Sequence, residues 1–129
     1  MTAKQKQIDY WQASAKDNLV VAELLFKNKH YDSCLFFCHL ALEKIIKGLV
    51  VEQTNTAAPY IHDLEKLLGL TNVTVNSAQA KLLQTITRFN VAGRYTEEKS
   101  NLYTIATKKY CSQYLVETKQ LFIWLRNKY

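Results

Sequence analysis

Ile8, Trp11, Ala15, Leu19, Ala22 and Phe26 recur at intervals of three and four. That spacing lays one apolar stripe along a helix starting near Ala3. Thr2 and Gln5 are placed to form a capping box at its start. The polar run Asn28-Lys29-His30 ends it. A second periodic stretch starts near Tyr31 or Asp32, with a stripe of Leu35, Cys38, Leu42, Ile45 and Leu49. Phe36, Phe37, Leu40, Ala41, Ile46 and Val50 spread the apolar surface around most of this helix. A helix so apolar must be covered on several sides, at the centre of a bundle or against a second subunit. His39, Glu43, Lys44 and Lys47 stand out on it. Glu43 and Lys47 have the favourable i, i+4 order for an ion pair.

The remaining pattern is richer in breaks. Residues 53–58 read as a linker ending at Pro59. A short helix is predicted from about His62 to Leu68, closed by Gly69. His62 and Asp63 at its start read as side-chain caps. After a loop, Asn76 or Ser77 caps a fourth helix carrying Leu82, Leu83, Ile86 and Phe89, with Gly93 just past its end. Residues 95–100 are polar and predict a turn. A last helix is predicted from about Asn101 to Lys128, with Tyr103, Tyr110, Tyr114, Leu121 and Trp124 along one side. The sum is an all-α fold, an antiparallel up-down bundle of four long helices plus one short one, forming a single domain over residues 1–129.

Composition agrees. Three Gly and one Pro leave little material for the turns of an all-β fold. Nearly half the residues are apolar, which excludes a disordered chain. The first residues are polar and basic with no apolar segment behind them, so no secretory signal is expected, and no apolar run is long enough to span a membrane. A cytoplasmic protein is expected. The three cysteines read as reduced thiols. Cys34, Cys38 and His39 are adjacent in sequence, but His39 points about 100° away from Cys38 around a helix, so core packing is expected rather than metal binding. The net charge of +6 favours anionic partners. The lysines are dispersed, which excludes a basic nucleic-acid tail.

Three segments carry a further pattern: Leu42-Glu43-Lys44 on the second helix, Pro59-Tyr60-Ile61-His62-Asp63-Leu64 after it, and Gly93-Arg94-Tyr95-Thr96 further on. In order and spacing they resemble the HEPN domain family, the higher eukaryotes and prokaryotes nucleotide-binding domain. Gly93 stands where that pattern has Ala, and Thr96 where it has Pro. The resemblance spans nearly the whole chain and implies the same helical bundle.

It also implies where chemistry would sit. HEPN members that cut RNA carry an arginine followed after four to six residues by a histidine, and the pairs of two subunits meet at a dimer interface. The matching arginine is Arg94. The positions that would hold the histidine are Lys99, Ser100 and Asn101, and His30, His39 and His62 all precede Arg94. Asn101 cannot move a proton near neutral pH. Ribonuclease activity, of the kind found in toxin-antitoxin-like systems, is therefore not expected, and no catalytic residue is assigned. Arg94 and Tyr95 are the leading ligand-binding candidates: a guanidinium fork suits phosphate and a tyrosine ring can stack on a base. A pairing of Arg94 with Glu43 or another carboxylate is the competing reading. Lys44, Lys47 and Asn101 complete the candidate set.

The resulting expectation is a HEPN-type homodimer that binds a nucleotide, or a minimal nucleotidyltransferase as its substrate-binding or regulatory half, with no cofactor. The dimer is expected on the second and last helices, because Phe36, Phe37, Leu40 and Ile46 exceed what one small bundle needs to cover. A toxin-like ribonuclease and a purely structural oligomer are the alternatives.

Overall fold

The computed structural model describes residues 1–91 and 96–129. All regular structure among them is helical: α1 (Ala3–Lys27), α2 (Tyr31–Thr54), α3 (Leu64–Leu68), α4 (Ser77–Thr87), α5 (Thr96–Ile105) and α6 (Lys108–Arg126).

The predicted start signals act at several ends. The Thr2 hydroxyl accepts from the Gln5 amide at 3.0 Å, while the Gln5 side chain turns forward to Asp9 at 2.8 Å, so only half of the expected capping box forms. Asn76 and Gln79 form a complete one at α4. Lys29 takes a positive φ of 65° between α1 and α2, and α2 folds back along α1. Asn55 closes α2 in the left-handed conformation, φ 58°.

α2 is the axle of the bundle. It touches each of the other five helices. Cys34, Leu35, Cys38, Ala41, Leu42, Ile45, Ile46 and Leu49 are fully buried. α1 presents Ile8, Ala15 and Ala22 to it, and α6 presents Cys111, Leu115, Leu121, Phe122 and Leu125. The central placement expected from the apolar circumference is thus realised within one chain. Ile46, counted among the surplus apolar residues, is fully buried, whereas Phe36, Phe37 and Leu40 are half-buried.

The C-terminal third differs from the sequence expectation. The single helix predicted from Asn101 to Lys128 is two helices, and the predicted turn over residues 95–100 is helical from Thr96 onward. The cause is local. Thr107 leaves helical geometry and its hydroxyl accepts from the Tyr110 amide at 3.2 Å, which starts a new helix where a continuous one was expected. Glu97 and Glu98 sit in the first turn of α5, where the helix dipole favours acidic residues. Tyr103, placed on the apolar side of a single helix, is 72% exposed on α5.

The three cysteines are buried and free. Contact with the Cys111 and Cys38 thiols, reinforced by burial, raises the Cys34 thiol above its ordinary range. Among the described residues no group of three or more His, Cys, Asp or Glu side chains is placed to hold a metal ion. No helix among them is long and apolar enough to cross a membrane.

Candidate functional site

Two polar arrangements are built on this frame. One is buried in the bundle and the other opens at its side.

The buried one follows from the i, i+4, i+8 spacing of His39, Glu43 and Lys47 along the most crowded helix. That spacing puts all three on one stripe. Their fractional exposures are 0%, 4% and 7%. Lys47 Nζ donates to Glu43 Oε2 at 3.0 Å. The other carboxylate oxygen, Oε1, accepts from His62 Nδ1 at 2.8 Å. His39 Nε2 donates to the His62 carbonyl at 2.8 Å, which sets the His39 tautomer and leaves its buried Nδ1 without a hydrogen bond among the described residues. Lys47 Nζ also lies 5.3 Å from the Trp11 ring centre and 5.7 Å from that of Tyr60.

The electrostatics follow. Burial pushes the Glu43 carboxyl up, but hydrogen bonds from His62 and Lys47 more than offset it, and the group rests below its ordinary value. Burial holds the His39 imidazole below its ordinary value, against the opposing pull of the His62 carbonyl and Glu43. The expected Glu43–Lys47 pair is therefore present. His62 is not a helix cap: Asp63 caps α3, accepting from the Lys66 amide at 3.1 Å, and the Thr87 hydroxyl accepts from the Leu64 amide at 3.1 Å.

The open arrangement is a cleft of about 300 Å³ between the end of α4, α5 and the start of α6. Phe89 and Leu102 are its buried wall; Thr85, Arg88, Glu98, Asn101 and Tyr110 contribute polar groups. Phe89 packs edge-on to Tyr110 and Tyr114, with ring centres 6.1 and 5.4 Å apart. Burial raises the Tyr110 phenol and Tyr114 adds to this, while the Arg88 guanidinium pulls it the other way.

The predicted site residues distribute unevenly over these two places. Asn101 lines the cleft. Lys47 lies in the buried knot with its charge held by Glu43, and Lys44 is half-buried on α2. Neither lines the cleft. Arg94 and Tyr95 lie outside the described residues, but the chain on both sides of them lines the cleft, at Val91 and at Glu98. Arg88 and Tyr110 were not singled out from sequence. Arg88 closes α4 and Tyr110 lies in the first turn of α6, and only the break at Thr107 brings them to one opening.

The family model of the HEPN domain matches residues 8–128. The chain belongs to the HEPN domain family. Its Leu42-Glu43-Lys44 and His62-Asp63-Leu64 segments are joined in space by the Glu43–His62 hydrogen bond. Among solved structures, this HEPN domain is similar to the crystal structure of TT1696 from Thermus thermophilus. The two share 17% identity at a TM-score of 0.79, over 95% of this chain and 98% of that one. At that identity the likeness shows the fold. A comparison with curated proteins gave no match.

Proposed function

We propose that this HEPN domain binds a nucleotide in the α4–α5–α6 cleft, as the substrate-binding or regulatory half of a minimal nucleotidyltransferase, in the cytoplasm and without catalysis of its own. One observation carries the reading: a concave site with an aromatic and aliphatic wall meets a guanidinium, a phenol and a carboxamide at its rim, beside the Glu98 carboxylate. The wall of Phe89 and Leu102 suits a base, and Arg88 suits a phosphate. The size is at the lower end of ordinary small-molecule sites, about 300–1,000 Å³. The Arg94-Tyr95 segment joins two stretches of the lining and adds a second guanidinium to the same part of the chain.

A thermal-shift screen with ATP, GTP and their diphosphates tests this. A ligand present at 100 times its Kd stabilises the fold by about 2.7 kcal/mol. The expected result is a saturable upward shift that weakens in Arg88→Ala and Asn101→Ala. No shift with any of these nucleotides at millimolar concentration, alone or with a co-expressed nucleotidyltransferase, overturns the reading.

A further inference from the structure

Outside the cleft, the structure holds an exposed group arranged as a nucleophile. The His62 side chain is 47% exposed, yet its Nδ1 is fixed at 2.8 Å on a carboxylate that is itself only 5% exposed. A carboxylate accepts, so Nδ1 carries the proton and Nε2 keeps a free lone pair when the ring is neutral. Since the Nδ1 edge faces the buried side, the Nε2 edge belongs to the exposed half of the ring.

Three further contacts make this a built position. The His62 backbone carbonyl accepts from buried His39 at 2.8 Å, so ring and main chain are both held from inside the bundle. Tyr60, 92% exposed, stands edge-on to the His62 ring with centres 5.3 Å apart. Lys47 Nζ lies 5.7 Å from the same Tyr60 ring and commits one of its three N–H donors to Glu43. An imidazole fixed from inside the bundle and an open aromatic wall thus share one patch. The exposed Nε2 lone pair distinguishes this patch from a plain ion pair.

We propose that His62 Nε2 accepts a phosphoryl group from a small acyl phosphate. The lone pair attacks phosphorus, the N–P bond forms and the P–O bond to the acyl group breaks. The carboxylate leaves with the bonding pair. The Nδ1 proton stays on the ring, whose new positive charge faces Glu43. Glu43 acts here as a positioning residue. A carboxylate within hydrogen-bond reach stabilises a cation by a factor of about ten or more.

The chain provides its own control. His30 is also exposed and makes no side-chain cap bond at the start of α2. The experiment is incubation of the full chain with acetyl phosphate, followed by intact mass and site mapping under alkaline conditions that preserve phosphohistidine. The expected product carries one acid-labile phosphoryl group, at His62 and about tenfold or more ahead of His30. It disappears in His62→Asn and persists in His30→Asn. Glu43→Gln lowers the ratio of His62 to His30 modification by about tenfold, and Glu43→Asp restores part of it. A global loss of fold would also equalise the two sites, so the Glu43 variants are read only where circular dichroism shows the helical fold retained, and the His62→Asn and His30→Asn arms stand without them. Equal modification of the two histidines, or no phosphoryl transfer to His62 in the wild-type chain, overturns the proposal.

Discussion

Glu43 and His62, nineteen positions apart, are joined by a 2.8 Å hydrogen bond, and through it the centre of α2 holds the loop that leads into α3. The contact is not isolated. The same carboxylate holds Lys47, and the backbone of the same histidine is held by His39. Charge, tautomer and loop path are fixed together.

Removing Glu43 therefore strands a buried cation. Glu43→Ala is expected to cost about 3–5 kcal/mol, because Lys47 and the His62 Nδ1–H lose their acceptor at once. Replacing the pair together, as Glu43→Leu with Lys47→Met, is expected to recover much of that loss, since apolar residues of similar volume suit the surroundings of α2. Urea melts of the two variants check this. A Glu43→Ala chain as stable as the parent would contradict the buried pairing.

Acid should act on the same knot in two stages. His39 is held below its ordinary value of 6.5 by burial. Below that pH the unfolded chain binds a proton at this position that the folded chain does not, so the stability His39 contributes is present above 6.5 and lost as pH falls. Glu43, held below its ordinary value of 4.5 by His62 and Lys47 despite burial, contributes stability above 4.5 that is lost as pH falls further. The melting temperature is expected to decline in the range below 6.5 and again below 4.5. His39→Gln, which keeps a donor for the His62 carbonyl, should remove the first decline and keep the second. An unchanged profile in that variant would assign the first stage to another group.

Much of this frame was legible in the sequence, and the reasons are local. The stripe of α1, the capping by Asn76 and the Glu43–Lys47 pair depend on spacings of three and four residues, which a single helix determines. The central place of α2 followed from its apolar circumference. The break before α6 was not legible, because one threonine in a periodic stretch serves equally as helix interior or cap until its neighbours pack. Tyr103 was misplaced for the same reason. The partner of His62 depends on a turn of chain between two helices, which periodicity does not describe. Arg88 and Tyr110 meet through three helix ends and carry no common spacing.

The half-buried Phe36, Phe37 and Leu40 on α2 and the exposed Val116 and Ile123 on α6 leave apolar surface for a second copy of the chain. A homodimer through these helices is expected at micromolar concentration. Phe36→Asp should shift it toward monomer with the helical content retained. Light scattering that gives a monomer for the parent chain across that range would remove the dimer.

The last expectation concerns the two arginines on either side of Val91. If the cleft holds a phosphate, Arg94→Ala weakens nucleotide binding by about 1–3 kcal/mol, the range for a hydrogen bond to a charged group. Arg88, exposed at the end of α4 and part of the cleft lining, should behave alike. In both variants the attraction falls as salt rises and folding stability changes little, as expected of a charge that serves binding rather than the fold. The opposite pattern assigns Arg94 to a buried carboxylate: removal then costs about 3–5 kcal/mol of stability and leaves binding alone. Melting and titration of the same two purified variants separate these outcomes. A large fall in melting temperature for Arg94→Ala, with nucleotide affinity intact, would make Arg94 a structural residue and leave Arg88 and Asn101 to carry the site.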